Sequence, residues 1–157
     1  MRGVRVREAT DDDAPAIAAL VNQAFLVERF FVDGDRTSPA EISRLLEKGT
    51  FLLAEVEGRL VACVYVELRG DRGYFGMLSV DPSRQGEGLG RLLIDAAEDR
   101  GRSRGCRLME IHVVDVREEL PPFYRRLGYA EVGEEPFPDH ERAKIPARFI
   151  VMTKPLG

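Results

Sequence analysis

One stretch constrains the fold more than any other. An apolar run from Tyr74 to Val80 leads into Asp81-Pro82-Ser83-Arg84-Gln85-Gly86-Glu87-Gly88-Leu89-Gly90. Leu89, Leu92, Leu93, Ala96 and Ala97 then recur at helical spacing as far as a stop near Gly105, and RLMEIHVV follows as another apolar run. Strand, glycine-rich turn, helix and strand make a βαβ unit. Its crossover is right-handed and turns the two strands into a parallel pair. Any fold for this chain must therefore hold a parallel pair with a helix lying across it.

The remaining elements arrange themselves around that unit. Val4-Arg5-Val6-Arg7 alternates like a strand. Thr10 stands three residues before Asp13, a capping-box-like start followed by Ala14-Pro15, and Ile17, Leu20, Val21, Ala24 and Phe25 mark a helix. Ser38-Pro39 opens a second helix with an apolar face of Ile42, Leu45 and Leu46, and Gly49 stops it. TFLLAEVEGRLVACVYVEL contains two β-rich runs around Glu57-Gly58, a hairpin signal, and Tyr74–Val80 follows as a third strand after Arg69–Gly73. PPFYRRLG is a short helix opened by prolines and closed by Gly128. YAEVGE and ARFIVMTK are strands separated by the polar loop EPFPDHERAKIP. The order is β-α-α-β-β-β-α-β-α-β-β, an α/β chain with a mixed sheet and helices against it.

A length of 157 residues suits one domain over 1–157. The net charge is −4 with no polybasic face, which argues against nucleic acid as the main partner. The N-terminus lacks the apolar core of a signal peptide and no run reaches membrane-spanning length, so a cytoplasmic protein with no membrane partner is expected. Cys63 and Cys106 suggest neither a metal site nor a disulfide framework, and Cys63 reads as a small buried hydrophobe. No metal is expected.

The glycines at 86, 88 and 90 need a reason, because glycine adds no packing and costs backbone entropy. A nucleoside-triphosphate loop requires Gly-Lys-Ser/Thr, whereas Gly90 precedes Arg91-Leu92. A dinucleotide loop requires G-x-G-x-x-G, and its third glycine falls on Arg91 or Leu93. What remains is Gln85-x-x-Gly88-x-Gly90 at the start of a helix. The first N–H groups of a helix are unpaired and carry the positive end of its dipole, so they suit a pyrophosphate when no side chain blocks approach. Glu87 must then point away from the anion, and Arg84 or Arg91 can add charge. A plain strand-to-helix turn with positive φ explains one glycine more readily than three.

MLSVDPSRQGEGLGRLL followed by PPFYRRLGY resembles the GNAT superfamily of N-acetyltransferases, whose acyl-CoA motif Q/R-x-x-G-x-G/A is matched by Gln85, Gly88 and Gly90. The element order agrees along nearly the whole chain. The resemblance implies a mixed, mostly antiparallel sheet of about seven strands, with a central parallel pair and helices on both faces. It implies acetyl transfer from acetyl-CoA to a primary amine, small or on a protein, by direct attack. The pyrophosphate would lie on the backbone of Gln85, Gly86, Glu87, Gly88, Leu89, Gly90 and Arg91, and the pantetheine arm along Leu78, Ser79 and Val80. The Leu78 amide would polarise the thioester carbonyl. Relatives often dimerise. A non-catalytic acyl-CoA-binding or sensing module keeps the same glycine turn.

Tyr124 matches the family's tyrosine that protonates the CoA sulfur; an ordinary aromatic pair with Phe123 fits the same residues. The Asn often found seven residues earlier is Arg117 here, and Pro121-Pro122 alter the helix start. Some relatives carry a base Glu where this chain has Tyr74. Glu110 and His112, two apart on one face of a strand, are the alternative bases, with Glu67 a further option. A histidine's ordinary pKa lies nearer neutrality than a carboxylate's, yet a hydrogen-bonded structural histidine satisfies the pattern equally. Glu28, Asp33 and Asp35 in the first interhelical loop, and Glu134, Glu135, Asp139 and Glu141 in the last loop, weakly favour a cationic acceptor. Phe30-Phe31 reads as core.

Overall fold

The computed structural model describes residues 3–138 and 140–157. Seven strands form one sheet: β1 (Val4–Glu8), β2 (Thr50–Val56), β3 (Arg59–Arg69), β4 (Arg72–Val80), β5 (Leu108–Val114), β6 (Ala130–Pro136) and β7 (Arg148–Pro155), in the order β1-β2-β3-β4-β5-β7-β6. The helices are α1 (Ala14–Ala24), α2 (Pro39–Leu46), α3 (Leu89–Ser103) and α4 (Leu120–Arg126). Every neighbouring pair is antiparallel except β4 and β5, as the βαβ pattern requires.

Local chemistry accounts for the boundaries. The Asp13 carboxylate accepts from the Thr10 amide at 2.8 Å and caps the turn ahead of α1. Ser38 Oγ accepts from the Glu41 amide at 3.2 Å and starts α2. Glu57 and Gly58 both have positive φ, 52° and 76°, and Val56 pairs with Arg59, so the hairpin closes through a two-residue turn of the twist-matched type. The next hairpin is tighter than its sequence suggests. Arg69 pairs with Arg72 across Gly70-Asp71, so the strands absorb Arg69, Arg72 and Gly73.

Helices cover both faces of the sheet. Ile17 and Val21 of α1 and Ile42 of α2 pack on Phe51, Leu53, Cys63 and Tyr65. On the opposite face Leu93, Ile94 and Ala97 of α3 and Tyr124 of α4 pack on Leu52, Ala54, Phe75 and Ile111. The unbroken apolar run Phe51–Ala54 follows from this, because successive residues of a two-sided strand enter different cores. Phe31, Val114 and Phe137 build a third, smaller cluster below β5. No helix among the described residues is long and apolar enough to cross a membrane.

Two irregularities shape the middle of the sheet. β4 pairs with β5 only at Arg72–Tyr74 against Leu108–Glu110, and beyond Tyr74 the two strands part. On its other side β4 carries a bulge: Gly76 faces Tyr65 and Ser79 faces Cys63, leaving Met77 and Leu78 opposite Val64. Met77 takes φ 52°, a conformation rare for a side chain of its kind.

Candidate active site

The gap between β4 and β5 continues into a cleft of about 1040 Å³ that is open to α3 and α4 on one side and to the α1–α2 connection on the other. The glycine turn builds its first wall. Asp81 accepts from both the amide and the hydroxyl of Ser83 at 2.9 Å, and this fixes the bend after β4. Gly86 and Gly88 have φ 82° and 83°, so two of the three glycines answer a backbone requirement. Gly88 is also the N-cap of α3 and brings no capping side chain, so no side chain of the turn occupies the first amides of the helix. Gly90 is helical, and a Cβ there would meet Leu78 Cδ2 and Val80 Cγ2 at 3.9 Å, ordinary contact.

Of the residues singled out around this turn, Leu78, Val80, Gln85, Gly86, Gly88, Leu89 and Gly90 line the cleft. Arg84 lines it too and sits 3.6 Å from Glu87, whose side chain is outside the lining. Arg91 pairs with Asp95 at 3.3 Å, also outside it. Ser79 is buried, and its hydroxyl donates to the Met77 carbonyl at 3.0 Å.

Tyr124 reaches the cleft from α4 despite Pro121-Pro122. Its ring sits among Phe75, Phe123 and Tyr129, with centroids 6.2, 5.1 and 5.9 Å away. Burial pushes its hydroxyl up to about 12, against the opposing positive charge of Arg117. The hydroxyl makes no hydrogen bond among the described residues. A neutral, unengaged donor thus stands on the cleft wall.

His112 lines the cleft from β5, with its ring 5.3 Å from Tyr74 and 5.7 Å from Phe149. Glu110 holds His112 Nε2 at 2.7 Å and is itself paired with Arg72. Burial pushes the Glu110 carboxyl up, but the hydrogen bonds from His112 and Arg72 outweigh it and the group sits below the usual range. Glu110 stands behind the imidazole and outside the lining. Glu67 is engaged elsewhere, accepting from Tyr65 at 2.6 Å and from Arg69.

The acetyltransferase (GNAT) family model matches residues 15–129, across the helix, sheet and turn that form this cleft. The chain belongs to that family. Acetyl transfer is therefore its chemistry, and it is an N-acetyltransferase. Solved structures agree on the fold. The ribosomal-protein-S18-alanine N-acetyltransferase of Escherichia coli superposes with a TM-score of 0.80 at 19% identity, covering 98% of this chain and 94% of the other. Ard1 of Thermoplasma volcanium gives 0.81 at 16%, covering 98% and 97%. N-acetylglutamate synthase of Neisseria gonorrhoeae, solved with coenzyme A and N-acetyl-glutamate, gives 0.74 at 21%, covering 98% of this chain and 35% of that one.

The other side of this GNAT cleft comes from the segment after α1 and from the β6–β7 loop. Glu28 is buried and lines it, and Arg117 Nη1 donates to its carboxylate at 3.2 Å. Burial raises the Glu28 carboxyl above the usual range despite that partner. Arg117 also holds Glu119 at 3.0 Å, so the residue at the family's asparagine position ties the α1 exit to the start of α4. Asp33 pairs with Lys144 and Asp35 with Arg29, each at 3.2 Å, and neither carboxylate lines the cleft. Glu134 pairs with Arg148 at 3.4 Å, and Glu135 lies 3.7 Å from His112 Nδ1. Asp139 lies outside the described residues, and Glu141 is exposed. Phe31 is core, whereas Phe30 is exposed.

Three residues of the cleft lining had no role assigned from the sequence. Tyr74 lines the cleft from β4, and a Cβ on Gly76 would come within 2.5 Å of its hydroxyl, so a side chain there would have to displace the ring. Arg117 registered only as a departure from the family pattern. Arg36 was one charge among several in VERFFVDGDRT, and no spacing rule marks it.

Proposed function

We propose that the chain, acting as a single unit over 1–157, transfers the acetyl group of acetyl-CoA directly to an amine. The observation that carries this reading is the gap between β4 and β5, with the uncapped start of α3 on one wall and the unengaged phenol of Tyr124 on another. Acetyl-CoA brings an activated thioester. The backbone from Gln85 to Gly90 binds its pyrophosphate, as the helix dipole and the missing cap favour. The Leu78–Val80 segment, unpaired with β5, offers main-chain groups to the pantetheine, and the Leu78 amide beside the bulge receives the carbonyl oxygen.

The amine nitrogen attacks the carbonyl carbon, the carbon–sulfur bond breaks, and Tyr124 gives its proton to the departing sulfur. His112, held by Glu110, takes the proton lost by the amine. Glu110 positions the imidazole and does not itself face the substrate. A covalent acetyl-cysteine has little support: burial pushes the Cys63 thiol up to about 12, and both cysteines lie outside the cleft lining.

Thiol release from acetyl-CoA, followed with a broad panel of amines, tests the reading. Amine-dependent release of CoA with one equivalent of N-acetylated product is expected. Tight CoA binding with no release for any amine would leave a binding module in its place.

A further inference from the structure

The charges that line the cleft are unbalanced. Arg84 and Arg126 stand near the glycine turn and α4, Arg117 between the two ends, and Arg29, Arg36 and Arg142 on the acceptor side. The only carboxylates among the described lining residues, Glu28 and Glu119, are both bonded to Arg117. On the acceptor side Arg29 pairs with Asp35, and Arg142 donates to the Asp35 carbonyl at 3.1 Å. Arg36 differs from both. It is half-buried and makes no hydrogen bond or ion pair among the described residues; its guanidinium is held over the Phe25 ring at 5.6 Å. A guanidinium carries five donors in a rigid fork and no acceptor, so this one is fixed in place without an anion to receive them.

Resting on the amine-acceptor reading above, we propose that the acceptor bears a carboxylate beside its amine, and that Arg36 binds that carboxylate. The position agrees with this use. Arg36 lines the same cleft as Glu28 and Tyr74, and its stack on Phe25 sets it beside the α1 exit. Tyr74 packs against His112, and both line the cleft that Arg36 lines, so a carboxylate held by Arg36 shares that cleft with the imidazole. Planar, bidentate recognition of a carboxylate is what an arginine already oriented by ring stacking does best. The acidic loops flanking the cleft do not oppose it, since Asp33, Asp35 and Glu134 are spent on surface pairs.

The test compares matched acceptors: free amino acids, the same amino acids as carboxamides, and amines bearing a phosphate monoester. The wild-type chain should use the acids with kcat/KM at least about tenfold above the amides, because an unfilled guanidinium penalises the analogue that lacks the anion. Arg36→Gln should reduce that ratio to near one, Arg36→Lys should keep part of it, and CoA affinity by calorimetry should not change in either. Equal use of acid and amide by the wild type, a preference that survives Arg36→Gln, or selection of the phosphate amines over the acids would each overturn the proposal. A second readout separates it from the transfer reaction. With CoA present, N-acetylated amino acids should bind the wild type and not Arg36→Gln. If they do so while no amine is acetylated, the anion site stands and the transfer reading falls; if they bind both alike, the anion site falls.

Discussion

The phenol of Tyr124 owes its readiness to donate to its surroundings. Packed among Phe75, Phe123 and Tyr129, it is pushed up to about 12 and stays neutral across the working range of a typical enzyme. Tyr124→Phe keeps the ring and removes the proton. It should lower kcat by about 100-fold with CoA affinity unchanged, as read by steady-state kinetics and calorimetry; an unaltered kcat would remove Tyr124 from the reaction. Tyr124 and His112 were legible in the sequence because short patterns mark them, FYRRLGY for one and strand alternation for the other. Arg117 and Glu28 were not. They are 89 positions apart, and only the folded chain makes them partners. Met77 was equally silent, since its positive φ arises from the register of β4 on β3 rather than from any preference of methionine.

At the scale of the element, the glycine turn shows how one segment meets two demands. Gly86 and Gly88 let the chain reverse through positive φ, and that same reversal leaves the α3 N-terminus without a cap. A valine at 88 would strain the turn and stand over those amides. Gly88→Val should weaken CoA binding at least about tenfold, with cooperative unfolding retained, because αL strain costs only about 1–2 kcal/mol. Calorimetric titration with CoA, alongside a thermal melt, checks both halves. The order of elements along the chain, the Glu57-Gly58 hairpin and the parallel pair were readable from period and turn chemistry, whereas the placing of β7 between β5 and β6 was not. The shortness of the parallel pairing was not, because nothing in Phe75–Val80 or Ile111–Val114 says that two apolar strands will part after three residues.

At the scale of the molecule, buried charge joins distant parts of the chain. Glu98 of α3 is 2% exposed and receives the Tyr129 hydroxyl at 2.7 Å and Lys154 of β7 at 2.9 Å. Glu98→Ala strands both donors and should cost about 3 kcal/mol in chemical denaturation; a loss well under 1 kcal/mol would mean the network contributes little. At the other end of the sheet, Arg7 of β1 holds Asp13 at 2.8 Å and Glu55 of β2 at 3.1 Å. The guanidinium keeps the Asp13 carboxyl below its ordinary 3.8, so the stability it contributes is complete above that value and lost as pH falls through the lower folded-state value. Asp13→Asn should therefore flatten the acid side of the stability profile while lowering stability at pH 7, measured by denaturation at a series of pH values.

The three residue pairs between β4 and β5 have a mechanical meaning. The sheet is two leaves, β1–β4 and β5-β7-β6, stitched along a seam no longer than Arg72–Tyr74. Whatever lies in the cleft touches both leaves and does the work of the missing stitches. A ligand spanning that gap should hold the leaves together, so that the β4 and β5 amides exchange more slowly with CoA bound than without it.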